Sequence, residues 1–187
     1  MSIGRPWLAA CAAAGLMALS TVEVARSQQN TVSDAQPESV EAPLARMVRD
    51  ATAQVRDAQA AVAAGYALAS GCVSGPEEGA MGIHYVNASL VGDGLLDAAQ
   101  PEALVFEPRD GQLQLVAVEY IVMAEQWHGS NPHPPVLHGQ HFHYVPAPNR
   151  SGLPPYYELH VWAWKRNPRG TFADWNPRVS CDSYSPR

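Results

Sequence analysis

Gln112-Leu-Gln-Leu-Val-Ala-Val-Glu-Tyr-Ile-Val-Met123 is the clearest strand signal in the chain. It is β-branched and aliphatic over twelve residues, and Asp110-Gly111 just before it is a hairpin-type turn. Alternate residues of a strand point to opposite faces. Leu113, Leu115, Ala117, Glu119 and Ile121 therefore share one face, with Val116, Val118, Tyr120 and Val122 on the other. Both faces are apolar, so the strand is expected to be buried, and Glu119 with it. A buried carboxyl needs a cation, a hydrogen-bond cage or a raised pKa.

Working outward, short β-prone runs punctuated by Gly and Pro predict further strands at 82–87, 103–107, 140–145 and 156–164. Residues 129–137 read as a proline-rich loop, and the tail from Asn167 as ordered loop. Upstream, Leu44, Met47, Val48, Ala51, Val55, Ala58 and Val62 recur at spacings of three and four. They predict one amphipathic helix over 42–64, begun by Glu41 and Pro43 and closed by Gly65. The expected fold class is α+β, an N-terminal helix packed on a curved antiparallel sheet or half-open β-barrel. A jelly-roll or cupin-like barrel is the rival.

The first 27 residues read as a secretory signal peptide. Arg5 gives a positive start, Trp7–Leu19 is an apolar run too short to span a bilayer, and Ala25-Arg26-Ser27 resembles a cleavage site. Cys11 sits early in that run, which argues against a lipid anchor. Residues 28–40 are polar and aperiodic, a flexible leader, so a single α+β domain is expected over 41–187. Removing 1–27 leaves 10 basic and 17 acidic residues, net −7. That charge disfavours a nucleic-acid partner, and no later apolar run predicts a membrane span. The expected location is secreted or periplasmic. Cys72 and Cys181 remain, and an exported chain with two cysteines is expected to pair them.

All seven histidines lie between residues 84 and 160. Parity sorts them. His84 and Val86 point one way on their strand, His141 and His143 share a face, and Glu158, His160, Trp162 and Trp164 share another. Four strands thus each offer an inward polar group: His84, Glu119, His143 and His160, with His141 able to replace or join His143. Three imidazoles and a carboxylate suit a divalent transition metal, zinc or copper first, with iron or manganese as further options. Glu119 would be either ligand or general base, the candidate catalytic residue. The Glu that follows the second His in cupins is absent here. His128 and His133 flank the proline-rich loop and are expected to be solvated; His138 is ambiguous.

Tyr156, Tyr157, Trp162, Trp164 and Trp175 form an aromatic cluster, with core packing the expected role of Trp162 and Trp164. An aromatic-lined pocket for a carbohydrate or small hydrophobic ligand is the alternative to a metal-dependent enzyme acting on a small molecule. Satisfied core histidines in a structural protein of the cell envelope are the third reading. No Gly-x-Ser-x-Gly or phosphate-binding glycine loop is present.

Gly82-Ile-His-Tyr-Val-Asn87, Pro101-Glu-Ala-Leu-Val105, Val118-Glu-Tyr120 and Tyr157-Glu-Leu-His-Val-Trp-Ala-Trp164, running on to Phe172-Ala-Asp-Trp-Asn-Pro177, are distinctive. On these motifs the chain, from Tyr66 to about Ser183, resembles an uncharacterised family of exported bacterial proteins. The resemblance implies export and assigns no activity, so the chemistry must be read from the residues.

Overall fold

A computed structural model describes residues 41–185 of the protein. The signal peptide expected over 1–27 and the leader over 28–40 lie outside them. The first strands, β1 (Ala67–Gly75), β2 (Gly79–Val86), β3 (Ala103–Arg109) and β4 (Gln112–Met123), follow one another as antiparallel neighbours. Two short pieces, β5 (Val136–Leu137) and β6 (Gln140–His141), form a separate hairpin. Then β7 (His143–Val145) and β8 (Tyr156–Val161) complete the main sheet in the order β1-β2-β3-β4-β8-β7. The sheet curls through 201°, a half-barrel, with helix before it. No helix of the described residues is long and apolar enough to cross a membrane.

The expected helix over 42–64 is two helices, α1 (Pro43–Ala51) and α2 (Ala58–Ala63). The break has a local cause. The Thr52 hydroxyl donates to the Val48 carbonyl at 2.7 Å, and the Asp57 carboxylate accepts from the Ala60 amide at 2.8 Å. Asp57 thereby caps a second helix start that hydrophobic spacing alone does not announce. Leu44, Ala45 and Val48 of α1 are buried in the main core with Leu104 and Phe106 of β3, Val118, Tyr120 and Val122 of β4, and Tyr157, Leu159 and Val161 of β8.

Two strand readings change. β1 carries Ala, Ser and two glycines on an edge, a run with no alternation to read. The expected strand 140–145 is interrupted at Phe142, which is buried, so its two halves join different sheets. In β4 the register slips at Val116, where Val105 faces Ala117 but Phe106 faces Leu115. This bulge moves Leu113 and Leu115 to the α1 side, while Ala117, Glu119 and Ile121 keep the opposite face. The Asp110-Gly111 turn is as expected, both residues at positive φ (52° and 75°).

The tail is fastened to the sheet. Cys72 of β1 is bonded to Cys181. The Trp162 amide donates to the Thr171 carbonyl, and the Trp162 indole N–H to the Ala173 carbonyl at 2.5 Å. Lys165 donates to the buried Glu107 carboxylate, which also accepts from the Ser180 amide. These contacts bring Asp174 and Trp175 over the sheet face that α1 does not cover.

Candidate functional site

That face holds a cleft of about 750 Å³. Ser70 of β1 and Val145 of β7, the two outer strands, both line it, so it occupies the inside of the curl. Its walls are mostly apolar, among them Val86, Ile121 and Met123; its floor is His84, Glu119, Glu158 and His160. Each floor residue occupies the expected inward parity position of its strand.

His84, Glu119 and His160 converge. His84 Nε2 lies 3.5 Å from Glu119 Oε2, and His160 Nε2 lies 4.0 Å from the same oxygen. His84 Nδ1 is 3.2 Å from the Ser70 hydroxyl, which leaves Nε2 directed at the carboxyl. His160 is 0% exposed, and neither of its ring nitrogens has a hydrogen-bond partner among the described residues. On its far side, Nδ1 faces Asp174 Oδ1 at 3.8 Å. The same Asp174 oxygen is 2.9 Å from His143 Nδ1.

Burial sets the protonation states. It pushes His84 down to about 4, helped by the positive charge of Arg150 and opposed by a hydrogen bond to the Gly82 backbone. It also pushes His160 well below the usual imidazole range, with His84 and His143 adding to the effect. Glu119 is raised well above the ordinary carboxyl range by burial, then by Glu158, which shares a hydrogen bond with it. Glu158 is raised too, chiefly by burial. Burial therefore favours neutral imidazoles and the protonated form of Glu119. The close approaches are not ion pairs, and at 3.5–4.0 Å they are too long for good hydrogen bonds.

Ligand atoms about 2.0–2.2 Å from a tetrahedral ion stand about 3.3–3.6 Å from one another; the His84–Glu119 separation of 3.5 Å falls in that range and the His160–Glu119 separation of 4.0 Å is wider. The ligand atoms of His84, Glu119 and His160 all lie within 4.8 Å of one another, as do those of Glu158, His160 and Asp174. A neutral imidazole is the ligating form, and Glu119 can exchange its proton for a metal.

The structure does not bring every predicted ligand to this centre. His143 is on β7 opposite Glu158, but its side chain is 57% exposed and reaches the centre only through Asp174. His141 belongs to the separate β5–β6 hairpin and is exposed. The break at Phe142 destroys the shared face on which their pairing depended. Outside the site, His128 Nε2 contacts the Tyr157 hydroxyl at 2.9 Å. Trp162 is buried as expected and stacks beside His160, whereas Trp164 is 42% exposed because β8 ends at Val161.

Three contributors were not among the predicted ligands. Glu158 was legible as a face-mate of His160. Asp174 lies in an irregular loop, where no periodicity points to it. Arg150 is another loop residue; its guanidinium sits 4.9 Å from the Trp175 ring centre, and both line the cleft.

No family model, no curated protein and no solved structure matches the chain, so the site is read from its own residues.

Proposed function

We propose that this is an exported metal-binding protein whose ion is held by His84, Glu119 and His160, and that it acts on a small molecule in the cleft. One observation carries the reading. A fully buried imidazole with two unpartnered nitrogens points at a carboxyl and a second imidazole. Leaving such groups unpaired costs about 1–3 kcal/mol each, and an ion at their common focus would remove that cost.

Two imidazoles and one carboxylate favour zinc or copper, with iron or manganese also compatible. Glu119 Oε2 lies toward both imidazoles, so the carboxylate is assigned as ligand rather than general base. Three protein ligands leave a position open to the cleft, the arrangement that lets an ion polarise a bound molecule or activate water. Ser70 would hold the His84 ring in its ligating orientation. Arg150 forms no ion pair with a carboxylate among the described residues. It supplies one positive charge at the cleft, suited to an anionic group on the bound molecule, while the apolar walls suit its body. Export is supported by the leader-like first 27 residues and the Cys72–Cys181 bond.

The test is to express the full chain with its leader in a bacterium and purify the periplasmic protein without a histidine tag. Its mass and metal content are then measured beside a Glu119→Gln, His84→Ala variant. A mature chain starting at Gln28 with near-stoichiometric metal, lost in the folded variant, is expected. Native protein without stoichiometric metal, even after reloading, would move the reading to a metal-free ligand-binding module. Retention of the leader in the cytoplasm would overturn export.

A further inference from the structure

The metal reading leaves half of His160 unexplained. A single ion at Nε2 uses one ring nitrogen, yet Nδ1 is equally buried and equally without a partner. A metal-bound imidazole ordinarily donates its second N–H to an acceptor. Here the facing atom, Asp174 Oδ1, is 3.8 Å away, beyond hydrogen-bond length, and is already held by His143 at 2.9 Å. Glu158 brings a second carboxyl, and its ligand atom lies within 4.8 Å of those of His160 and Asp174.

We propose that His160 bridges two cation positions. Nε2 serves the position shared with His84 and Glu119, and Nδ1 serves a second one completed by Asp174 and Glu158. This deepens the metal reading above and rests on it. His143 is then a positioning residue, donating from Nδ1 to Asp174 and fixing that carboxylate toward the second ion.

Two divalent cations would bring four positive charges to three carboxylates, an imidazolate and the nearby Arg150. The protons balance. Glu119 and Glu158 release to solvent the protons they hold as the ions bind. His160 releases its ring N–H proton when the second binds, and each nitrogen lone pair then goes to one ion.

The experiment uses the full-length mature chain, stripped with chelator and titrated with Cu²⁺ alone. Bound copper is counted by mass spectrometry and spins by electron paramagnetic resonance. An imidazolate bridge couples the two ions, so the expected signal climbs to one spin per chain and then falls as a second equivalent fills. Asp174→Asn is expected to hold one equivalent, its signal stopping at one spin; Glu158→Gln provides a second variant, and circular dichroism checks that both fold. Two equivalents giving two uncoupled spins would overturn the bridge. Saturation of the wild-type chain at one equivalent would overturn the second position while leaving the single-ion reading standing. No stoichiometric binding would overturn both. Should both variants fail to fold, the wild-type titration still decides.

Discussion

Glu119 and His160 are direct cross-strand partners on β4 and β8, with both side chains turned into the cleft. A pair in this position on one face of a sheet has its Cβ atoms about 5 Å apart, so the ladder itself holds carboxyl and imidazole together. His84 arrives differently. It pairs with Val105, which in turn pairs with Ala117, two residues short of Glu119. The curl of the sheet and the length of the glutamate side chain close that gap.

Metal should stabilise the fold through this triad. An ion bound only by the native state at 100 times its dissociation constant contributes about 2.7 kcal/mol. For a domain of this size that raises the melting temperature by about 5–10 °C. Thermal unfolding with zinc against chelator should show the rise in wild type and lose it in Glu119→Gln. An equal response in both would place the ion elsewhere.

Glu102 should make stability fall with rising pH. It is 1% exposed and accepts from the Ile121 amide, and burial raises its carboxyl to about 8, with Asp93 and Asp97 adding. The folded chain keeps this proton from its unfolded value of 4.5 up to about 8, while the unfolded chain has lost it. Stability from this group is therefore lost across that window, by up to about 5 kcal/mol. Glu102→Gln keeps an acceptor for Ile121 and cannot ionise. Urea unfolding at pH 5 and pH 8.5 should show the variant gaining on wild type at the higher pH.

The Cys72–Cys181 bond spans 109 residues of sequence. Closing a loop of that length removes about 4–5 kcal/mol of unfolded-state entropy. A Cys72→Ser, Cys181→Ser variant should be less stable by about that amount in denaturant titration. It should also loosen the tail that carries Asp174 and Trp175, read as a weaker Trp175 signal change on ligand or metal addition.

Gly82 sits two residues before His84 at φ 115°, and an added Cβ would come 2.6 Å from the Phe106 carbonyl oxygen. Gly82→Ala should cost about 1–3 kcal/mol from backbone strain, before any clash is counted. Denaturant titration measures the loss; a variant as stable as wild type would show that β2 shifts freely against β3.

Much of the fold was legible because its signals are local. The β4 run was readable to the residue, since its length and its Asp-Gly turn are properties of adjacent residues. The strands carrying His84, Glu119 and His160 were readable by the same means, and parity placed all three inward. The single helix was misjudged because Thr52 and Asp57 redirect the backbone through side-chain hydrogen bonds, which the apolar spacing does not record. β1 was missed because an edge strand of small residues buries too little to need a pattern.

Parity fixed the direction of a side chain only while its strand stayed regular. It held for His84, Glu119, Glu158 and His160 and failed for His141, where Phe142 turns into the core and the chain changes sheets. The sequence by itself determined which residues are chemically able to bind and which face of their own strand they take, because both are local. Only the tertiary structure decided that His84, Glu119 and His160 meet, that Asp174 rather than His141 joins them, and that His160 has unpartnered nitrogens on both sides. Those facts depend on sheet order, on the bulge at Val116 and on a tail tied back through Trp162 and Cys181. Each is set by contacts between residues far apart in the chain, which no local pattern encodes.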